Sequence, residues 1–578
     1  MANELKLRDR GCTLALILAI ICVCAPALAA EASDQACRSI AKLKIPSVIF
    51  TEASLQKPQE IPADPFTAFT GASPQAVKVG GHCLVRGVIG KRQGVDGQSY
   101  GTRFEVRLPT TWNDMFLFQG GGAVDGFLAP AVGTIPCRNS TAAPGLLRGY
   151  AVVSMDGGHP SPDPAFGVDQ AARIDFAYAS IGKVTSVSKQ VIAKFYGAAP
   201  KKSVFMGCSN GGREALIAAQ RYPLEFDGIV AGSPGFRLSA ANIAEAWDTR
   251  QYMSIAPKDE AGHPILSRAF SQQDLNIVAK AVLAACDARD GIEDGVINAW
   301  QQCRFDPKVL SCQGDKTDRC LTAGQVQAMS RAFAGPESSD GEKLYSDWPY
   351  DTGVAGADWR MWKLGNSPTS QSDANNIVLG ARSLQYYFMT PPAPNFDPLK
   401  FDFDKDPARV ADTAKLNDAT GTYLASFAAH GGKLLLFQGL SDPVFSANDL
   451  VRWYKQVVEV TSGGDLEAAR RFLRMFIIPG MTHCGDGQAF DDFDPLAAIE
   501  GWINQDKAPD SLAAGSKAFP GKHQPICAYP TQAAYGGKGN PDESRAIRVG
   551  DKRPRHLFAS ICAHSRNRSP GPRIGWKS

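Results

Sequence analysis

The chain lacks a charge excess of either sign. Over 578 residues, 61 Lys and Arg face 58 Asp and Glu, a formal net charge of +3. No large basic field is available for a polyanion, so nucleic acid is excluded as a partner. Beyond the first 30 residues no apolar run approaches the roughly 20 residues needed to cross a bilayer, so no membrane partner is expected. Internal repeats and long linkers are also missing, and histidine is scarce, with eight in all. What is present is a globular composition, 44% hydrophobic, 9% aromatic and 21% charged, which excludes a mostly disordered chain. The length suits one elaborated catalytic domain with an insertion.

At the N-terminus Lys6, Arg8 and Arg10 precede an apolar run from Leu14 to Ala25 and then Ala27-Leu28-Ala29. A basic start, a short apolar stretch and a small-residue site describe a secretory signal peptide over 1–29 and a secreted or periplasmic protein. Export changes the reading of cysteine, because thiols oxidise to disulfides outside the cytosol. Of 14 Cys, three (Cys12, Cys22, Cys24) fall in the signal, and the 11 that remain are odd in number, so at least one is unpaired.

Short β-type runs alternate with amphipathic stretches from about Thr102 to Gly232, the pattern of βαβ units feeding a parallel sheet. The strands expected are Phe104 to Leu108, Phe116 to Phe118, Tyr150 to Met155, Ser203 to Met206 and Gly228 to Ala231. Helices are expected through Val184 to Phe195 and Arg213 to Arg221. From about Pro234 to Lys415 the chain is rich in Asp, Pro, Gly, Trp and Cys without sheet periodicity. Sheet-type runs resume at Lys433 to Phe437 and Arg474 to Ile478, and a helix follows near Leu496 to Asn504. The fold class is α/β, an α/β-hydrolase fold: a first part over 30–235, a lid insertion over 236–415, a second part over 416–540 and an irregular basic tail over 541–578. An independent central domain is the alternative.

Gly207-Cys208-Ser209-Asn210-Gly211 sits between an expected strand and an expected helix. In that setting a GxSxG pentapeptide is a strained turn that lifts a serine hydroxyl to the top of a sheet, at a helix N-terminus. Serine needs a general base and a group to orient that base, in the chain order Ser, acid, His. His82 and His159 precede Ser209. His263, His430, His523, His556 and His564 follow it, but only His483 lies just beyond a β run, and His430 reads as a helix end before Gly431-Gly432. Asp442, after the Lys433 to Leu440 run, is the candidate acid. Asp486 and Asp491 compete with it and read as surface loop residues. The oxyanion donors expected are the amides of Asn210 and, within Gly120-Gly121-Gly122, of Gly122.

Cys208 precedes Ser209 and Cys484 follows His483. This Cys-Ser, Asp, His-Cys arrangement resembles the tannase and feruloyl esterase family, and the likeness runs from about Cys37 to Pro530. The resemblance implies Ser209 as nucleophile, Asp442 as acid, His483 as base and a Cys208–Cys484 disulfide beneath them. It further implies Cys37–Cys83, Cys286–Cys303 and Cys312–Cys320 pairs, with Cys527 left to Cys562 and Cys137 free. In the stretch from Asp287 to Val296, three carboxylates at spacings of three and four with two Gly turns can wrap a hard cation or simply be solvated turns. The resemblance implies structural Ca2+, held by Asp287, Asp290 and Asp294 side chains and by the Ile292 and Val296 carbonyls.

The expected function is a secreted serine esterase acting through an acyl-enzyme on small aromatic esters of feruloyl, galloyl or terephthaloyl type. An acetyl or polyester esterase with the same triad, or a non-catalytic binding protein, are the alternatives. Trp348, Tyr350, Trp359, Trp362, Tyr386, Tyr387 and Phe388 suit a flat acyl group, some of them as lid core. Arg382 among them is either an anchor for a substrate acid group or an ordinary surface arginine.

Overall fold

The computed structural model describes residues 33–537, 539 and 547–550. The expected signal peptide, most of the basic tail and Cys562 lie outside these residues. Nine strands form one sheet: β1 (Val48–Gln56), β2 (His82–Gln93), β3 (Ser99–Pro109), β4 (Met115–Gln119), β5 (Ala151–Met155), β6 (Lys202–Cys208), β7 (Gly228–Gly232), β8 (Lys433–Gly439) and β9 (Leu473–Ile478). Their spatial order is β1-β2-β3-β5-β4-β6-β7-β8-β9. Pairings from β1 to β5 are antiparallel, and those from β5 onward are parallel.

Strands β4 to β9 read as near-continuous apolar runs because both faces of a parallel sheet are covered. Along β4, Phe116 and Phe118 face one core with Phe205, while Met115 and Leu117 face the other with Val204 and Met206. Helices α1 (Ser180–Tyr196), α2 (Asn210–Arg221), α5 (Ala447–Ser462) and α6 (Pro495–Gln505) accompany the sheet, while α3 (Leu238–Met253) and α4 (Gln272–Cys286) lie in the stretch between β7 and β8. Helix α1 turns Val184, Val187, Val191 and Ile192 inward, the spacing read from the sequence. Topology and layering are those of an α/β-hydrolase.

Between β7 and β8 no strand joins the main sheet. That stretch is helical and builds its own apolar cluster, which includes Tyr252, Phe270, Leu275, Trp348 and Trp359. Among the described residues four disulfides are present: Cys37–Cys83, Cys208–Cys484, Cys286–Cys303 and Cys312–Cys320, pairs that the resemblance implies. Cys137 and Cys527 are buried and have no disulfide partner among the described residues.

Two expectations need correction. Ile547–Gly550 pairs antiparallel with Gln532–Tyr535, so a strand lies inside the segment expected to be irregular. The alternation Ile547-Arg548-Val549 is a strand pattern, hidden by the basic composition around it. Asp491 is not a surface residue: it is buried, and accepts from Asn139 Nδ2 at 2.9 Å and the Asp486 amide at 2.7 Å. Tertiary packing of the 484–491 loop onto the 137–141 segment overrides the polarity of its sequence.

Candidate active site

Ser209 stands between β6 and α2 with φ 60° and ψ −124°, a backbone region that costs a non-glycine residue of order 1–3 kcal/mol. The turn is held by bonds on each side: the Ser209 amide donates to Gly232 O at 3.0 Å, and its carbonyl accepts from Arg213 N at 3.0 Å and Gly235 N at 3.1 Å. Gly211 is required by close approach, since a Cβ there would press on the Gly121 carbonyl. Below the turn the guanidinium of Arg213 is fully buried, and each of its three nitrogens donates. It donates to Asn210 Oδ1 at 2.7 Å and to the carbonyls of Phe176, Ala177 and Asn417.

His483 lies in the loop after β9, and Asp442 in the turn after β8. His483 Nε2 is 2.9 Å from Ser209 Oγ, and its Nδ1 is 2.9 Å from Asp442 Oδ2. A carboxylate only accepts, so the proton sits on Nδ1, and Nε2 is left as acceptor for the serine hydroxyl. Asp442 is fully satisfied: Oδ2 also accepts from Gln438 Nε2 at 2.9 Å, and Oδ1 accepts from the amides of Val444 and Phe445 at 2.8 and 3.0 Å. Trp362 and Phe445 stand edge-on to the imidazole, with ring centroids 5.7 and 5.3 Å away. Beside these residues, Cys208–Cys484 ties the strand-end turn to the histidine loop across 276 residues of sequence.

Of the glycine run, Gly120 donates its amide to Met206 O, and Gly121 donates to Glu214 Oε2 at 2.9 Å. Gly122 has no protein acceptor among the described residues. A side chain at Gly122 would collide with the Phe69 backbone, so only glycine fits this close approach. Asn210 opens α2, where an amide has no intrahelical acceptor. Its side chain is locked by Arg213 and by a short bond from Nδ2 to Asp125 Oδ1.

Residues that the sequence did not flag hold this arrangement. Burial and the neighbouring Glu214 push the Asp125 carboxyl, beneath the glycine run, well above the ordinary carboxylate range. Asp351 of the insertion clamps the loops that carry Asp442 and His483, its Oδ2 accepting from Ser441 Oγ at 2.7 Å and from the Gly480 amide at 2.6 Å. Asp358 accepts from the His483 amide at 3.2 Å. No local motif marks these acids, because their partners lie more than 80 positions away.

A cleft opens at Ser209 between the sheet and the insertion. Its walls include Ala123, Asn210, Leu238, Trp362, Leu379, Phe388, Val444 and Phe445. Of the seven aromatic residues singled out above, only Trp362 and Phe388 reach it. Trp348, Trp359 and Tyr387 are buried lid core. Arg382 is half-exposed, does not line the cleft and pairs with Asp163 at 2.6 Å, the surface role.

In the acidic loop, burial raises Asp287, Asp290 and Asp294, with Asp290 pushed up to about 6, and charged neighbours in the loop add to each shift. Asp287 Oδ1 is buried without a partner. The other carboxylate oxygens accept from the loop's own amides and from Gln524. Among the described residues no three acidic, imidazole or thiol groups converge on a common point as metal ligands.

A family model described as "Tannase and feruloyl esterase" matches residues 86–548. The chain belongs to this family. It is 38% identical over 529 residues to the mono(2-hydroxyethyl) terephthalate hydrolase of Piscinibacter sakaiensis, covering 83% of this chain and 85% of that protein. A probable feruloyl esterase B-1 of Aspergillus flavus is 29% identical over 472 residues, 76% of this chain and 82% of that one. Among solved structures, feruloyl esterase B from Aspergillus oryzae superposes with a TM-score of 0.73 at 21% identity, over 90% of this chain and all of that one. Tannin acyl hydrolase from Aspergillus niger gives 0.64 at 20% identity, over 88% and 92%. The chain is a carboxylic ester hydrolase. No helix among the described residues is long and apolar enough to cross a membrane.

Proposed function

We propose that the protein is an exported serine esterase that hydrolyses esters of aromatic carboxylic acids through an acyl-enzyme. The observation that carries this reading is the continuous hydrogen-bond chain Ser209–His483–Asp442 at an aromatic-walled cleft. In the proposed reaction Ser209 Oγ attacks the ester carbonyl while His483 Nε2 takes the hydroxyl proton. Asp442 keeps the imidazole in the accepting tautomer and stabilises the imidazolium. The amides of Gly122 and Asn210 receive the developing oxyanion. His483 then returns its proton to the leaving alcohol, and water releases the acid by the same steps in reverse. The names of the relatives support aromatic acyl groups. Four disulfides fit an oxidising compartment and hence export.

For the acidic loop the proposal is structural Ca2+, with Asp287, Asp290 and Asp294 by side chain and Ile292 and Val296 by carbonyl. The orphaned, buried Asp287 oxygen supports a missing partner there. A bound cation would supply stability rather than chemistry. The functional proposal is tested by assaying the purified protein on galloyl, feruloyl, terephthaloyl and acetyl esters, with Ser209→Ala as control. Aromatic esters are expected to turn over and to stop doing so in the variant. Turnover of acetyl esters alone would reject the aromatic assignment.

A further inference from the structure

Helix α3 sends two polar side chains, Asn242 and Glu245, toward the cleft that holds Ser209. They are three positions apart, so they share one helix face, in a lining otherwise dominated by Leu238, Trp362, Phe388 and Phe445. Both are buried, 4% exposed each. Asn242 Nδ2 donates to its own helix at Leu238 O, 3.1 Å away, whereas Asn242 Oδ1 and Glu245 Oε2 have no hydrogen-bond partner. Leaving a buried polar atom unpaired is costly, so two such atoms in one cleft wall point to a partner that is not protein.

The chemistry of that partner follows from what the two side chains offer. Burial pushes the Glu245 carboxyl up to about 8, against the pull of Lys363 and with a push from Asp248. Those two groups are bound to each other at 2.5 Å, so Lys363 is not free to neutralise Glu245. At neutral pH Glu245 therefore offers a carboxylic O–H as donor, and Asn242 Oδ1 offers an acceptor. A hydroxyl group, which donates once and accepts, matches both. A carboxylate meets only one of the two needs: it could accept from Glu245 but would bring no donor to Asn242 Oδ1, and no Lys or Arg lines the cleft among the described residues to offset its charge.

We propose that Asn242 and Glu245 form the hydroxyl-binding end of the acyl cleft and select aromatic acyl groups bearing an uncharged ring hydroxyl over those bearing a ring carboxylate. This rests on the esterase reading above. The proton of Glu245 is donated to the ring hydroxyl oxygen, and the ring hydroxyl donates to Asn242. Above about pH 8 the Glu245 carboxylate no longer donates.

The test measures kcat/KM for methyl 4-hydroxycinnamate, methyl cinnamate and the monomethyl ester of terephthalic acid on the full chain. For the wild type at pH 7 the hydroxyl-bearing ester is expected to exceed each of the others about tenfold or more, the discrimination of one well-made hydrogen bond. Glu245→Leu, and separately Asn242→Leu, should collapse that ratio toward one, with thermal melts verifying the fold. Glu245→Gln should keep the ratio at pH 7 and lose less of it between pH 7 and 9 than the wild type. The substrate phenol ionises equally for both proteins, so the difference between them reports Glu245. A hydroxyl preference that survives in both leucine variants, or identical pH profiles for wild type and Glu245→Gln, would overturn the proposal. Turnover of all three esters without preference overturns this inference alone, whereas no Ser209-dependent turnover of any of them overturns the esterase reading with it.

Discussion

The two walls of the cleft differ in how their polar atoms are satisfied. On the sheet side, Asp442 accepts four hydrogen bonds, His483 uses both ring nitrogens, and Asn210 is locked from two directions. On the insertion side, Asn242 Oδ1 and Glu245 Oε2 have none. Groups that perform chemistry must be held in one geometry before substrate arrives, because reorganisation during the reaction costs rate. Groups that recognise substrate are completed by it. Under the proposed reading, the contrast is that between reaction at the strand ends and selection by the lid.

The sharpest way to break the comparison is on the sheet side. Ser209→Ala should lower ester turnover by roughly a million-fold, the loss typical of a missing serine nucleophile, with an unchanged circular dichroism spectrum. Retention of more than about a tenth of turnover would remove Ser209 from the chemistry. Asp442→Asn should keep the fold and cost about 10⁴-fold, because the amide can present the wrong tautomer-setting group to His483 Nδ1.

Replacing both Cys208 and Cys484 by Ala is expected to affect stability and turnover together. In the chain-entropy account a loop of this length disfavours the unfolded chain by roughly 5 to 6 kcal/mol, and measured gains are commonly smaller. Turnover per folded molecule should fall as well, since the bridge fixes the register between the serine turn and the histidine loop. Full turnover per folded molecule would confine the bridge to stability. A smaller effect is expected from a chelator, which should lower the melting temperature by a few degrees if calcium fills the acidic loop. Metal analysis of undialysed protein without calcium would refute that site.

The smallest effect sharpens the lid side. The folded Glu245 carboxyl is raised to about 8 from its ordinary 4.5, so the folded state holds a proton that the unfolded state has lost across that window. Its contribution to stability therefore falls as pH rises from about 4.5 to about 8. Glu245→Gln should remove that decline, seen as melting temperatures that converge at low pH and separate toward pH 8. Parallel curves would show that Glu245 titrates normally.

How far each wall is legible in sequence follows the same division. Strands β4 to β9 are continuous apolar runs, and GxSxG after one of them is a local signal. The strand-end positions of Asp442 and His483 complete the reading. The antiparallel β1–β2 pair escaped it, because one face is partly exposed and Gly87, Gly90 and Lys91 interrupt the alternation. Helix α3 escaped for the opposite reason. It is buried on nearly every side, from Ser239 through Tyr252, so no polar face marks its period. Glu245 then appears in sequence as one acid among many, and only the fold brings it to the cleft of Ser209.

The most direct test of the serine reading is covalent. Treatment with diethyl 4-nitrophenyl phosphate, followed by peptide mass spectrometry, should show one diethylphosphoryl group per molecule on Ser209, rising in step with the loss of esterase activity and absent in His483→Ala. Inactivation without a modified Ser209, or equal labelling in the histidine variant, would contradict the assignment of Ser209 as a nucleophile activated by His483.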